Sequence, residues 1–154
     1  MTLFVRDARR LRHKDVSKCR IVEGDVLKLD QLTKAIAGQD VVYANRAGDL
    51  VAMATNIVKA MGETRVKRLI FISSIGIYDV PLRPVLNRYR KAADSIEASD
   101  LEYTILRPTW FTNADEVDYE TMRKGEPAKR FCNLSKKPRN SDCGYNRISR
   151  RIRS

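Results

Sequence analysis

The chain has 154 residues, of which 43% are hydrophobic and 32% are charged, enough for one domain with a real core. No apolar run approaches the ~20 residues that a membrane-spanning helix requires, and arginines near the N-terminus interrupt any signal-peptide pattern. A single histidine and three cysteines without a C-x-x-C pair leave almost no ligands for a metal site. We therefore expect a cytoplasmic protein with reduced thiols, no bound metal and no membrane contact.

The net charge of +11 is concentrated at one end of the chain. Residues 128–154 contain nine Lys or Arg and one Asp, a balance of +8, which leaves +3 for residues 1–127. These last residues show no apolar periodicity, so we predict a domain at 1–127 and a disordered basic tail at 128–154. The tail lacks the interleaved aromatic side chains of a base-stacking surface, so we expect no specific nucleic-acid partner.

Strand and helix patterns alternate along the rest of the chain. The opening Leu3-Phe4-Val5 run predicts the second half of a strand, and RIVEGDV, DVVYAN, KRLIFISS and LEYTILRP predict four more. Apolar spacing predicts helices in LDQLTKAIAG, in DLVAMATNIVKAMG and in the segment around Tyr89. We expect Asp30 to cap the first helix, and Gly38 and Gly62 to end the first and second. This alternation predicts an α/β protein whose parallel sheet carries helices on both faces.

Four segments, in chain order VRDARR, EGDVLKLDQLTKAIAGQDVVYANRAG, VKRLIFISSIGIYD and LEYTILRP, resemble the atypical short-chain dehydrogenase/reductases of the NmrA-like NAD(P)-binding group. The resemblance covers Thr2 to Asp118. It implies a Rossmann-like, doubly wound parallel sheet, NADP or NAD as cofactor, and a reductase acting on a quinone, flavin or other small carbonyl compound.

The family's first strand and the glycine-rich turn that holds the cofactor diphosphate have no counterpart here. No G-x-x-G-x-x-G occurs, so the chain corresponds to an N-terminally truncated Rossmann-like fold that starts at the second strand. In the Rossmann strand order the first strand is central. We therefore expect the strands at Thr2–Arg6 and Val41–Ala44 to pair directly, to recruit another chain, or to keep unpaired backbone groups; the oligomeric state stays open.

The resemblance implies a cofactor site at the carboxyl ends of the strands. Arg6 stands where the family reads the adenosine ribose, and its guanidinium suits a 2′-phosphate; the alternative is a solvated surface arginine. Asp25 and Val26 match the family's adenine-contacting pair, or simply form a strand-terminating turn. The remaining cofactor candidates lie in loops after the later strands: Ala44, Asn45, Ala47, Gly48, Ser73 and Pro108.

The catalytic candidates are Ser74, where the superfamily places its catalytic serine, and Tyr78, a proton donor or an ordinary loop tyrosine. The superfamily's tyrosine–lysine pair, four residues apart, is missing, since Leu82 follows Tyr78 at that spacing and Ala93 follows Tyr89. For Trp110 and Phe111 two interpretations stay open: they line the binding site of a flat substrate, or they cover the carboxyl end of the sheet. Three activities therefore stay open: a reductase, a non-catalytic NAD(P)-sensing regulator, and an inactive truncated family member.

Overall fold

The computed structural model of the chain describes residues 1–45, 48–108 and 121–122. Within these ranges the backbone forms five strands and three α-helices, joined in places by short 3-10 turns. The strands are β1 (Thr2–Val5), β2 (Arg20–Glu23), β3 (Val41–Ala44), β4 (Arg68–Ile72) and β5 (Glu102–Leu106), and the helices are α1 (Leu29–Ile36), α2 (Leu50–Thr64) and α3 (Asn87–Glu97). The predicted α/β class is confirmed, whereas the predicted tail at 128–154 lies outside the described residues.

The strands form two parallel sheets, one of β1 and β2 and one in the order β3-β4-β5. In the first sheet Leu3 lies opposite Ile21. In the second, Tyr43 lies opposite Ile70, which in turn lies opposite Thr104. In the described part of the chain β1 and β3 belong to different sheets, so of the three expected outcomes direct pairing of these two strands does not occur.

A layer of helices covers one face of the three-stranded sheet. Helix α2 lies between α1 and α3 and packs against both. The strand side chains that share the core with these helices are Ala44, Leu69, Phe71, Tyr103 and Ile105, all 4% exposed or less. On the opposite face, Val41 is 47% exposed and Tyr43 is 61% exposed. The described helices therefore bury one side of β3 and leave the other accessible.

The same helical layer ties the two sheets into one molecule. Phe4 of β1 packs against the core that contains Leu32 and Ile36 of α1. In addition, the Asn56 side chain on α2 donates a hydrogen bond to the Val26 carbonyl, just after β2, at 3.0 Å. β1 is partly buried along its whole length, whereas three of the four β2 residues are exposed. β1 is therefore the inner strand of its sheet and β2 the outer.

The helix ends differ from the sequence expectation at two positions. Lys28 precedes α1 and makes no side-chain capping bond. Asp30 lies instead in the first turn, where its negative charge interacts favourably with the positive end of the helix dipole. Gly38, with φ +74°, follows the end of α1 as expected. Gly62 does not end α2, which continues to Thr64 and closes on Arg65 in the left-handed conformation, with φ 60°.

These backbone angles predict opposite effects of substituting two glycines. A Cβ at Gly62 meets nothing within 4 Å and sits in a helix interior, so Gly62→Ala should raise the free energy of unfolding by about 0.5–1 kcal/mol. Gly38 also has open space but a positive φ, so Gly38→Ala should lower it by about 1 kcal/mol. Urea unfolding followed by circular dichroism measures both, and equal shifts for the two variants would contradict the assigned helix ends.

Candidate functional site

The candidate site residues follow the carboxyl ends of the strands. The connection from β2 through α1 to β3 is the strand–helix–strand unit typical of parallel sheets, as are those through α2 and α3. In open α/β sheets, ligands bind outside the carboxyl ends, where the strand order reverses. By analogy with a doubly wound sheet, that position would lie between β1 and β3, the strands that begin the two separate sheets. The segments that border it, called the rim below, are Arg6, Gly24–Asp25, Asn45, Gly48, Ser73–Ser74 and Arg107–Pro108.

Arg6 is exposed directly after β1. The neighbouring carboxylate of Asp7 is bonded to Arg9 and not to Arg6. One of its oxygens accepts hydrogen bonds from both the backbone N–H and the Nε of Arg9 at 3.0 Å. These bonds lower the pKa of Asp7 below its ordinary value. None of the ion pairs formed among the described residues includes Arg6. The guanidinium of Arg6 therefore stands on the rim without a carboxylate partner in that part of the chain.

Asp25 and Val26 form the turn that ends β2. The Asp25 carboxylate accepts from the Leu27 N–H at 3.0 Å, and the Asp25 N–H donates to the Gln31 side chain at 3.0 Å. Val26 is 3% exposed and packs in the core, so hydrophobic burial alone accounts for an apolar residue at this position. The adenine contacts of Asp25 and Val26 stay predictions.

The loop after β3 carries one exposed polar residue and one unusual backbone angle. Ala44 is buried and Asn45 exposed, while Ala47 lies outside the described residues. Gly48 has φ +112°, a backbone conformation that favours glycine. Its carbonyl accepts from the Leu50 N–H at 3.0 Å. The Asp49 carboxylate then caps α2 through the Ala52 N–H at 3.1 Å.

Ser73 is the most unusual polar residue of the rim. Its N–H donates to the Leu106 carbonyl at 2.8 Å, which extends the pairing of β4 with β5. Its hydroxyl is buried and has no hydrogen-bond partner within the described ranges, with the residue 5% exposed. A buried unpaired hydroxyl is unfavourable by about 1–3 kcal/mol, and such a group calls for an explanation, such as a bound water or a functional role. Ser74, the sequence's catalytic candidate, is partly buried beside it.

Tyr78 is held by charged side chains that sequence reasoning missed. Its hydroxyl donates to the Glu97 carboxylate on α3. Its ring lies 4.6 Å from the Arg90 guanidinium carbon and 4.9 Å from that of Arg107. Arg90 also pairs with Asp94 at 2.7 Å, which raises the pKa of its guanidinium. This arrangement supports the structural interpretation of Tyr78, and a role as proton donor stays a prediction.

Arg107 and Pro108 complete the rim after β5. Arg107 is 2% exposed, and Pro108 is partly buried, with its carbonyl accepting from the Ile75 N–H at 3.2 Å. The sequence signal that could have identified Arg107 is its position directly after a buried strand. A buried guanidinium needs a hydrogen-bond or charge partner, and the sequence alone does not reveal which residue provides it. Trp110 and Phe111, the predicted substrate wall, lie outside the described residues.

Across the described ranges, no group of three His, Cys, Asp or Glu side chains is close enough together to hold a metal ion. The helices in those ranges are all too short or too polar to cross a membrane.

The fold is that of an NAD(P)-binding protein of Rossmann type. The sequence matches the family model described as NAD(P)H-binding over residues 1–136, so the chain belongs to that family. The expected cofactor class, a nicotinamide dinucleotide, is that of the family. No curated protein sequence matches the chain.

Solved structures agree with this fold. A Rossmann-fold NAD(P)-binding family protein from Shigella flexneri is 46% identical, with a TM-score of 0.69, and the match covers 83% of this chain and 63% of that one. A short-chain dehydrogenase/reductase from Veillonella parvula, solved in complex with NADP, is 25% identical, with a TM-score of 0.65 and coverage of 82% and 65%. The chain thus spans a little under two thirds of the length of either relative.

The absence of a bond to the Ser73 hydroxyl in the described ranges can be tested by comparing Ser73 with Thr104, a buried residue whose hydroxyl is hydrogen-bonded. Ser73→Ala removes an unpaired group, so the free energy of unfolding should stay the same or rise by up to about 1 kcal/mol. Thr104, 3% exposed, accepts from Arg68 at 3.3 Å, so Thr104→Val should lower it by about 1 kcal/mol. Denaturant unfolding measures both. A clear loss of stability in Ser73→Ala would mean that its hydroxyl has a protein partner.

The Tyr78 hydroxyl can be tested in the same way. Tyr78→Phe keeps the ring between the two guanidinium groups and removes the bond to Glu97, so the free energy of unfolding should fall by about 1.5–3 kcal/mol. Tyr89→Phe, on α3, is the control, because no hydroxyl bond of Tyr89 forms among the described residues. Thermal unfolding compares the two, and an unchanged midpoint for Tyr78→Phe would contradict the contact with Glu97.

Proposed function

We propose that this chain binds NADP(H) along the rim and acts in reduction of a small carbonyl compound, a quinone or a flavin. The observation that carries the proposal is Arg6, exposed at the carboxyl end of β1 and without an ion-pair partner among the described residues. Arginine binds phosphate through paired N–H donors, and a charged group near the ribose separates NADP from NAD. The Veillonella relative bound to NADP supports the same cofactor.

The nicotinamide end of the cofactor is assigned to the opposite side of the rim. When bound, the nicotinamide supplies the hydride chemistry. The protein's part is to orient it: the Ser73 hydroxyl, buried and unpaired in the described ranges, donates to the carboxamide or to a substrate carbonyl, and Pro108 borders the same end of the sheet. Gly48 and Asn45 border the middle of the rim, between the two ends of the cofactor.

The fit is incomplete at the diphosphate. A Rossmann site holds this group on backbone N–H donors of a glycine-rich turn at a helix N-terminus. The described loops contain no such turn, and α2, the helix nearest the switch point, has its first turn capped by its own Asp49. We therefore assign the two ends of the cofactor to residues of this chain and leave the diphosphate unassigned at this stage.

A second function is favoured by Tyr78. Because its hydroxyl is bound to Glu97, and because Leu82 stands where a lysine partner would be, the usual proton-donating pair is not assembled. A protein that binds NADPH without turning it over, and signals through a partner, fits this arrangement. For either function we infer a small-molecule ligand and a cytoplasmic location.

The cofactor assignment can be tested by titrating the purified chain with NADPH and NADH while following nucleotide fluorescence. Arg6→Ala should weaken NADPH binding by about 10–100-fold, since a hydrogen bond to a charged group contributes about 1.5–3 kcal/mol. NADH binding should change little. Arg20→Ala is the control, because Arg20 is also exposed but starts β2 at the opposite end of the sheet. Equal NADPH affinity in wild type and Arg6→Ala would overturn the assignment.

A turnover assay distinguishes the reductase from the non-catalytic NADPH-binding sensor. NADPH oxidation above background with quinones, flavins or aldehydes supports the reductase, whereas binding without oxidation supports the sensor. Ser73→Ala should reduce turnover by the reductase more than it reduces NADPH affinity, because a bond to a substrate carbonyl strengthens in the transition state.

A further inference from the structure

The connection between β4 and α3 contains a closed loop at residues 79–86. The Asp79 N–H donates to the Gly76 carbonyl at 3.1 Å, and the Leu86 N–H donates to the Arg83 carbonyl at 2.9 Å. A Cβ built on Gly76 would lie 3.1 Å from the Asp79 carboxylate and 3.2 Å from the Leu86 side chain. The first and last residues of the segment are therefore close together, which is the geometry of an Ω-loop.

This loop exposes apolar side chains at the carboxyl end of the sheet. Val80 is 91% exposed and Val85 is 66% exposed. Pro81 and Pro84, beside them, are also exposed, and their rings fix φ, so the loop loses little backbone freedom when it docks on a surface. Leu86, in contrast, packs against the core. The two valines therefore project from a loop that is anchored at its base.

Positive charge surrounds the two valines. Residues 79–91 contain four Lys or Arg and one acidic residue, a balance of +3. Three of these cations, Arg83, Arg88 and Lys91, are exposed and form no ion pair among the described residues. The fourth is paired with a carboxylate of the same helix. The surface around the loop is thus suited to contact with negative charge.

We propose that residues 79–86, called the valine loop below, dock the protein on the surface of a bilayer that contains anionic phospholipids. Val80 and Val85 enter the boundary between the headgroups and the acyl chains, and the neighbouring cations contact the lipid phosphates. Binding at such a surface combines the burial of apolar area with the attraction between cations and anionic headgroups. The valine loop and the start of α3 supply both.

The shape of the valine loop favours a bilayer over a protein partner. A side chain that is 91% exposed, as Val80 is, projects beyond its neighbours. Exposed apolar patches mark protein or membrane contacts, but a protein partner for a projecting loop needs a matching pocket, whereas a bilayer deforms around the loop. The expectation of no membrane contact rests on the absence of a long apolar run, and docking at the bilayer surface needs no such run.

Docking by the valine loop also turns the rim toward the bilayer, because the loop follows Ser73–Ser74 closely in the chain. The consequence for the substrate rests on the proposed function. A reductase held in this orientation reaches quinones that are dissolved in the membrane. The substrate class is then an apolar quinone of the bilayer and not a water-soluble carbonyl compound.

The probe is a vesicle of phosphatidylcholine that contains about one third phosphatidylserine, mixed with the full chain without cofactor and sedimented. Wild type should bind these vesicles saturably, and vesicles of phosphatidylcholine alone much less. The double variant Val80→Ser with Val85→Ser should weaken binding about tenfold or more, because two apolar side chains no longer enter the bilayer. Val41→Ser is the matched control. Val41 is also exposed but starts β3, at the opposite end of the sheet, so binding should match wild type.

The charge contribution is tested by a second pair of variants. Arg83→Gln should weaken binding about fivefold, the contribution of one cation near an anionic surface. Arg20→Gln removes the same charge at the amino end of β2 and should change binding little. The basic residues 128–154 are common to both variants, so the difference reports the valine loop. Val80→Trp should strengthen binding severalfold, because Trp favours the membrane interface, and a loss of folding cannot produce such a gain.

The proposal is overturned if wild type does not bind the anionic vesicles saturably, if the double variant binds as wild type does, or if Arg83→Gln and Arg20→Gln weaken binding equally. NADPH oxidation is then measured with a quinone carried in the vesicles and with a water-soluble quinone. The double variant should lose turnover of the first and keep turnover of the second, and an equal loss of both overturns the substrate class. Vesicle binding without NADPH oxidation by either quinone overturns only the proposed function.

Discussion

The candidate site residues at the carboxyl end of the three-stranded sheet are positioned by β4. This strand pairs with β3 and β5 along both edges and buries Leu69 and Phe71 almost completely against the helices. At its amino end, Lys67 pairs with Asp100 across to the start of β5. At its carboxyl end the Ser73 N–H continues the same ladder. The Ser73 hydroxyl is therefore fixed by backbone hydrogen bonds on a buried strand, which is a more rigid support than a surface loop gives.

The two halves of the proposed cofactor site are held by different means. Ser73 and Pro108 belong to one continuous sheet, whereas Arg6 and Asp25 belong to the other. Within the described ranges the helical layer joins them, through the packing of α1 on α2, the bond from Asn56 to the Val26 carbonyl, and Phe4 in the shared core. Within the smaller sheet, Gly24 leaves room for the Phe4 ring, since a Cβ there would lie 2.7 Å from it. The distance between the two ends of the rim is thus set by side-chain packing and not by a hydrogen-bonded ladder.

The sequence predicted the elements well and the details of the site less well. Apolar runs and helical spacing identify β1 to β5 and α1 to α3, because hydrophobic burial imposes both patterns. The end of α2 at Arg65 was missed, because tertiary packing of Ala60 and Met61 carries the helix past a residue of low propensity. Val26 was assigned to the rim by a motif, whereas its burial depends on helices distant in sequence. The unpaired hydroxyl of Ser73 and the charged side chains around Tyr78 have no local sequence signal, since they depend on how β4, β5 and α3 meet.

The accessible edge of β3 has a consequence for the life of the protein in a cell. Natural sheets protect such edges with charged side chains, proline or a bulge, and the run Val41-Val42-Tyr43 has none of these. A chain whose edge stays uncovered is a substrate for chaperones and proteases, which act on species that expose unpaired strands. The edge of β3 is therefore the place in the described sheets where aggregation by strand pairing is expected to start.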